Sequence, residues 1–199
     1  MKYSSAILTI CDSMTKEYSK LFHKKSFTLY TSCENKKLQL KENASQISYM
    51  GNLSYQRNYQ LVAIGRALKQ IDLEGIPKYI DVYSGEKRTD VLKILTEENG
   101  IHFHGMISNT EIEKVMENSM VVIHTESFDK EIKNRTKFSV STKIAELLTK
   151  GPCILAYGPQ GIASIDYLKK NNAAFVISSE KNLVNDLKNF FSDREMREE

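Results

Sequence analysis

The chain has 199 residues, 41% of them hydrophobic and 27% charged, a composition typical of a globular protein with room for one α/β domain and a further fragment. Its net charge of +3 comes from 28 basic residues interspersed with 25 acidic ones, so no basic stripe indicates a nucleic-acid partner. Three widely separated cysteines indicate free thiols in a reducing cytoplasm, and no apolar run approaches the ~18 residues of a membrane span, although peripheral association with the inner membrane surface stays open.

Residues 1–45 form a separate segment in the predicted organisation. Ala6–Ile10 and Ser26–Tyr30 have the pattern of strands and Asp12–Leu21 that of a helix, followed by a polar linker from Thr31 to Ser45. We interpret the segment as the tail end of a preceding domain. Because unpaired strand edges invite pairing, we expect residues 1–35 to dock irregularly on the rest of the chain or to form a homodimer contact.

Residues 46–199 alternate short apolar runs with helical patterns and predict six βα units. The expected strands are Gln46–Met50, Tyr79–Tyr83, Ile101–His104, Met120–His124, Cys153–Tyr157 and Ala173–Ser178. This alternation predicts an α/β fold with a doubly wound, Rossmann-like parallel sheet.

Three of the connections carry specific expectations. A helix with Val91, Ile94 and Leu95 is expected to end at Asn99-Gly100, and Ser108 with Glu111 has the pattern of a capping box. The fourth strand is followed by a long polar stretch, Thr125–Val140, expected to be a loop. The helix after it begins at Ser141 and ends at Gly151-Pro152.

Ligands of such sheets bind beyond the carboxyl ends of the strands, where the strand order reverses. For the common order 3-2-1-4-5-6, the loops at that point are Gly51–Arg57 and Thr125–Ser141. Gly51 permits close approach of a backbone to a ligand, and Arg57 offers a planar fork of donors for phosphate.

The helix that begins at Ser141 adds further anion-binding chemistry. Ser141 and Thr142 stand where free N–H groups and the positive end of the helix dipole favour phosphate. Lys143 and Glu146 share a polar face and suit a phosphate and a ribose hydroxyl, respectively. The plainer alternatives are that the serine is an ordinary cap, that the charged pair is a solvated face and that Arg57 is a surface residue.

Three motifs carry a resemblance to a known family. They are Gly51-Asn52-Leu53 with Arg57, the strand and turn Phe103-His104-Gly105 before a capped helix, and Ser141–Leu148 with Gly151-Pro152. From about Ser45 to Phe191 the chain resembles the C-terminal, donor-binding domain of retaining GT-B glycosyltransferases of family 4. Residues 1–45 would then be the end of the N-terminal acceptor domain plus linker.

The resemblance implies a UDP- or GDP-linked nucleotide sugar as substrate, no metal or other cofactor, and a glycan or lipid-linked acceptor held by the missing domain. Arg57 would contact the diphosphate, Glu146 the ribose and Lys143 the phosphates or donor sugar, with the base held near Gly105. The implied set of substrate-binding residues is Gly51, Asn52, Arg57, Gly105, Glu126, Ser141, Thr142, Lys143 and Glu146. Such a fragment, from cell-surface polysaccharide synthesis, is expected to be inactive alone.

Two departures from the family pattern keep other functions open. Phe138 stands where the family often has a first glutamate, and Asn52 stands where many members have arginine. The alternatives are a sugar-nucleotide epimerase of the same fold and a non-catalytic nucleotide-sugar-binding or scaffold protein. His102, His104 and His124 lack a cysteine or carboxylate cluster at metal-binding spacing, so no metal site is expected.

Overall fold

The computed structural model describes residues 3–34 and 37–193 and contains one large parallel sheet and one small one. The large sheet consists of β3 (Gln46–Met50), β4 (Ile80–Tyr83), β5 (Ile101–Gly105), β6 (Ser119–Thr125), β7 (Ile154–Tyr157) and β8 (Phe175–Ile177). These six strands are all parallel and lie in the order β5-β4-β3-β6-β7-β8. Counted from β3, this is the order 3-2-1-4-5-6, and the predicted doubly wound sheet is confirmed.

Helices cover both faces of this sheet. One face packs its apolar strand residues against α2 (Arg57–Gln70) and α8 (Leu183–Ser192). The other packs against α4 (Asn109–Asn118), α6 (Thr142–Lys150) and α7 (Ala163–Lys170). Residues 46–193 also contain the short helices α3 (Thr89–Leu92) and α5 (Lys130–Thr136) and a 3-10 turn at Glu97–Asn99.

Helices α4 and α6 begin where the sequence predicts, and α6 also ends there. Ser108 and Glu111 form both hydrogen bonds of the capping box at the start of α4. Ser141 is the residue before α6, and Gly151 ends that helix with φ of 89°, in the left-handed region that glycine tolerates.

Two connections differ from the sequence prediction. The expected helix through Ile94 and Leu95 stops at Leu92, because the chain tightens into turns and Asn99 Nδ2 donates to the Ile94 carbonyl at 2.8 Å. The stretch Thr125–Val140 is not all loop, since α5 forms within it. Asp129 caps α5 by accepting from the N–H groups of Glu131 and Ile132.

The N-terminal segment forms its own small sheet. Strands β1 (Ala6–Thr9) and β2 (Lys25–Thr28) pair in parallel around α1 (Asp12–Phe22). The segment contacts the rest of the chain through Cys11 Sγ, which lies 3.5 Å from the Phe138 carbonyl oxygen, and through the rings of Tyr18 and Phe138. Its two strands thus pair with each other rather than with the large sheet.

The linker between the two parts is held in place at the ends of two helices. The N–H of Leu38 donates to the carbonyl of Lys150, and that of Lys41 donates to Glu117. The Leu38 side chain is buried against α4 and α6. Within the described ranges no helix is long and apolar enough to cross a membrane.

Candidate functional site

The loops after β3 and β6 meet the start of α6 at the carboxyl edge of the large sheet, as expected from the position of the strand-order reversal. Between them lies a cavity of about 570 Å³. Seven of the predicted residues line it: Gly51, Asn52, Arg57, Ser141, Thr142, Lys143 and Glu146. An adjoining cavity of about 420 Å³ shares Met50, Gly51, Asn52 and Lys143, so the two form one cleft with two lobes.

Arg57 stands in the wall of the larger lobe and is held by four hydrogen bonds. Nε donates to the Thr125 carbonyl at 3.1 Å and Nη1 to Asn52 Oδ1 at 2.8 Å. Nη2 lies 2.9 and 3.0 Å from the two carboxylate oxygens of Glu126. The guanidinium therefore ties the loop after β3 to the end of β6, and it reaches the cleft already paired with a carboxylate.

Glu126, a predicted substrate contact, lies behind this wall and not on it. Its side chain is 1% exposed and that of Arg57 is 12% exposed. Burial raises the pKa of the Glu126 carboxyl, while the charge and hydrogen bonds of Arg57 oppose that rise. In this position Glu126 orients the Arg57 guanidinium and partly neutralises its positive charge.

The loop after β3 has a constrained backbone. The hydroxyl of Tyr49 donates to the Asn52 carbonyl, and a Cβ on Gly51 would lie only 2.9 Å from that hydroxyl oxygen. Tyr55 and Gln56 both have positive φ, of 59° and 61°. Residues held in this sparsely populated region cluster at binding sites, where surrounding contacts fix them.

The start of α6 borders the cleft, with Ser141, Thr142 and Lys143 in its lining. Ser141 makes no side-chain capping bond, so the first amides of the helix are not capped by it. Lys143 Nζ donates to the Met50 carbonyl at 2.6 Å, across the cleft at the end of β3. Desolvation lowers the pKa of the Lys143 amine, Glu146 opposes this and Arg57 adds to it. A helix N-terminus with a lysine beside it gives this end of the cleft the type of donors that bind anions.

Glu146 lies one turn further along α6 and also lines the larger lobe. Its Oε1 accepts from Lys150 Nζ at 2.7 Å, and Glu113 of α4 lies 3.3 Å from the same ammonium. The sequence reasoning missed Lys150 and Glu113. The i,i+4 spacing of Glu146 and Lys150 could have indicated the first contact, but nothing in the sequence placed Glu113 beside them.

The smaller lobe is lined by residues at the end of β4 and in the loops after β4 and β5, including Tyr83, Ser84, Met106 and Ile107. Gly105 ends β5 with φ of 76° and accepts from the N–H of Ser84 through its carbonyl. It supports this lobe from behind instead of lining it. The Ser84 hydroxyl is buried and has no hydrogen-bond partner among the described residues, which is rare for a buried polar group.

His124 lies on β6 in the floor of the larger lobe, and its side chain is 9% exposed. Its Nε2 is 3.7 Å from Glu126 Oε1 and makes no hydrogen bond within the described parts of the chain. Burial lowers the pKa of His124 to about 3, and the nearby Arg57 cation contributes. The imidazole is therefore neutral at physiological pH.

The other two histidines of the sheet lie outside the cleft. His104 Nε2 is 2.6 Å from Asp81 Oδ1, and its ring stacks on Tyr83 at 4.7 Å. His102 stacks on Tyr79 at 4.2 Å. Among the residues that the structure describes, no three His, Cys, Asp or Glu side chains are grouped to hold a metal ion.

No protein-family model and no curated protein matches the sequence. Solved structures do match the fold. WaaG, a glycosyltransferase involved in lipopolysaccharide biosynthesis, aligns with a TM-score of 0.66 and 13% identity over 96% of this chain and 54% of that one. This chain therefore has the fold of part of a GT-B glycosyltransferase.

Two further matches were solved with ligands bound. A TarM mutant of S. aureus, in complex with fondaparinux, α-GlcNAc-glycerol and UDP, has a TM-score of 0.71 and 10% identity over 98% of this chain and 38% of that one. HepE of Anabaena, in complex with UDP and glucose, has a TM-score of 0.68 and 12% identity over 98% of this chain and 56% of that one. The chain thus spans between 38% and 56% of the length of these structures.

Proposed function

We propose that this chain binds the nucleotide-sugar donor of a glycosyltransferase of the hexosyltransferase type. The observation that carries the proposal is the convergence of Arg57, the start of α6 with Lys143, and Glu146 in a single lobe. These groups come from the start of α2 and from α6, and they supply cationic donors together with a carboxylate one turn further along α6. The UDP present in two of the matched structures supports the same substrate class.

The diphosphate would lie between the first amides of α6, Lys143 and Arg57. Glu146 lies four residues after Thr142, and at 1.5 Å per residue this is about 6 Å along the helix. A ribose attached to the diphosphate would then meet Glu146, whose carboxylate accepts hydrogen bonds from hydroxyl groups. The base would enter the smaller lobe, whose lining includes Ser84, Met106 and Ile107. Because fixed cations and amides hold the phosphates, we propose that binding needs no metal ion.

The test is the affinity of UDP, GDP and pyrophosphate for the wild type and for Glu146→Ala, measured by calorimetry with Mg²⁺ and with EDTA. We expect Glu146→Ala to weaken the binding of whichever nucleotide has the higher affinity by roughly tenfold, since hydrogen bonds to charged groups contribute ~1.5–3 kcal/mol. Pyrophosphate affinity should hardly change because it has no ribose. Glu131→Ala, which removes an exposed helical carboxylate, is the matched control. Unchanged nucleotide affinity in Glu146→Ala would place the ribose elsewhere.

The acceptor and pathway are part of the same proposal. We propose a glycan or lipid-linked acceptor, held by a second domain, in cell-surface polysaccharide synthesis in the cytoplasm or at the inner membrane surface. The involvement of WaaG in lipopolysaccharide biosynthesis supports this class, and cysteines present as thiols fit a reducing compartment. The chain by itself is then expected to bind donor without turnover.

One observation favours a second candidate, a nucleotide-sugar-binding protein without catalysis. Phe138, at the position of the family's first glutamate, packs its ring edge-on against Tyr18 of the N-terminal segment at 6.3 Å. That position therefore packs against another part of the chain and offers no carboxylate to a donor sugar. Glycosyl transfer by any protein containing this chain, abolished by Glu146→Ala, would decide for the enzyme.

We further propose that the N-terminal sheet pairs with a second copy of the chain. Leu8 and Phe27 lie side by side on one face, 68% and 54% exposed, and Leu29 continues it at 63%. Removing two such side chains from water stabilises contact by ~1.5–3 kcal/mol each. Leu8→Lys combined with Phe27→Lys should therefore weaken dimerisation at least ~tenfold in sedimentation equilibrium. Tyr59→Lys, at an exposed position on α2, should not. A wild type that stays monomeric at every concentration contradicts this proposal.

A further inference from the structure

A lysine at the end of α6 joins two carboxylates in the wall of the larger lobe. Lys150 Nζ lies 2.7 Å from Glu146 Oε1, on its own helix, and 3.3 Å from Glu113 Oε1, on α4. All three side chains line the same cavity. The ammonium therefore bridges the two helices that form this end of the cleft.

The bridge is more protected than an ordinary helical ion pair. The side chain of Lys150 is 12% exposed, compared with 38% for Glu146 and 29% for Glu113. Burial alone would lower the pKa of Lys150, but the hydrogen bonds and negative charges of Glu146 and Glu113 together outweigh that effect and raise the pKa. The lysine thus stays charged, whereas a fully exposed i,i+4 pair would be screened by water and contribute little.

The bridge leaves one oxygen of Glu146 for a ligand. Oε1 is held by Lys150, and Oε2 accepts no hydrogen bond from any residue that the structure describes. A carboxylate on a free glutamate would sample several rotamers, and ordering it on binding would reduce affinity. Held by Lys150, the carboxylate is already ordered before a ligand arrives.

We propose that Lys150 is a positioning residue, which by bridging Glu146 to Glu113 holds the Glu146 carboxylate for the ribose hydroxyls and so sets a preference for ribonucleotides over 2′-deoxyribonucleotides. This inference rests on the proposed function, because it takes Glu146 as the ribose contact. Lys150 acts through Glu146 and does not touch the nucleotide.

The test compares UDP, 2′-deoxy-UDP and pyrophosphate by calorimetry on wild type, Lys150→Ala and Lys150→Arg. Lys150→Ala should weaken the binding of UDP by roughly five- to tenfold and that of 2′-deoxy-UDP by less than about twofold. The preference for ribose should therefore become smaller. Lys150→Arg keeps a cation in reach of both carboxylates and should retain the preference. Pyrophosphate should bind all three proteins alike. Arg135→Ala, which breaks the exposed i,i+4 pair with Glu131, is the matched control.

A second variant keeps the test decisive should Lys150→Ala fold poorly. Glu113→Gln removes the charge at the α4 end while Lys150 and Glu146 remain, and it should reduce the ribose preference in the same direction but by less. Equal losses for UDP and 2′-deoxy-UDP, or an unchanged preference in both variants, would overturn the positioning role.

The two proposals fail in different ways. Loss of the ribose preference in Glu146→Ala, with full retention in Lys150→Ala and Glu113→Gln, refutes the role of Lys150 and leaves the proposed function standing. A wild type that binds neither UDP nor GDP overturns both.

Discussion

Replacing Arg57 by alanine is expected to lower the free energy of unfolding by ~3–5 kcal/mol at pH 7. The change removes the cation that faces Glu126, whose carboxylate is 1% exposed. Breaking a buried ion pair by deleting one partner has an effect of this size, because the remaining charge is left buried and uncompensated. Three other contacts, to the Thr125 carbonyl and to Asn52 and Tyr55, are lost with it.

The measurement is urea unfolding of four proteins at pH 7. Arg135→Ala provides the control, since its ion pair with Glu131 has side chains 67% and 75% exposed and should contribute less than ~1 kcal/mol. The double variant Arg57→Met with Glu126→Leu removes both charges at similar volume and should recover most of the lost stability. Equal losses in Arg57→Ala and Arg135→Ala would mean that the buried pair has no structural role.

This expectation alters how a binding experiment on Arg57 is interpreted. From the sequence, Arg57 is a phosphate contact, and its loss should weaken nucleotide affinity. In the structure it lines the cleft but is paired with Glu126, so a loss of affinity in Arg57→Ala has two sources, the missing contact and the disturbed loop. Glu146 and Lys150 can be changed without leaving a fully buried charge, and they are the cleaner probes of the nucleotide.

The sheet was predictable from the sequence because each βα unit repeats the same hydrophobic pattern, and the strand order follows a common rule. The connections were less predictable because contacts between distant residues decide them. Val91 and Leu95 are both buried, as a helical pattern requires, yet the chain between them leaves the helix. Gly65 explains part of this, because a Cβ there would lie 2.4 Å from the Asn99 carbonyl oxygen, so α2 packs directly on the turn that follows.

In the candidate site too, the sequence predicts which strand or helix end a residue occupies but not the contacts between distant residues. Seven of the nine predicted residues line one cavity, because β3 and β6 are neighbours and their following loops must meet. Glu126 lies just behind the wall of that cavity, and Gly105 lies behind the smaller lobe. Sequence position specifies which strand end a residue occupies, but the direction of its side chain depends on packing. For the same reason the sequence did not predict the contact of Glu113, which reaches Lys150 only because α4 and α6 pack side by side.

His124 is the second residue for which the structure predicts a large effect on stability, in this case through its pH dependence. It lies in the floor of the cleft beside Arg57 and Glu126, and burial lowers its pKa from about 6.5 to about 3. In the unfolded chain the imidazole takes up a proton as the pH falls through ~6.5, while in the folded protein it stays neutral until about pH 3. Between these values the unfolded state binds more protons, so stability falls as the pH is lowered.

Lowering the pH from 7.5 to 5 should therefore cost the wild type ~2 kcal/mol through this residue alone, at 1.36 kcal/mol for each unit between pH 5 and the unfolded pKa. His124→Gln carries no titrating group there, so its free energy of unfolding should fall by ~2 kcal/mol less over the same interval, whatever its stability at pH 7.5. Both decreases in the free energy of unfolding are measured by urea unfolding. Their difference cancels the contributions of the other titrating groups, including Glu126. His23→Gln, which removes an exposed imidazole from the N-terminal segment, is the control for the substitution. Identical falls in the wild type and His124→Gln would show that the imidazole of His124 takes up its proton in the folded protein as well, and that the floor of the cleft is open to water.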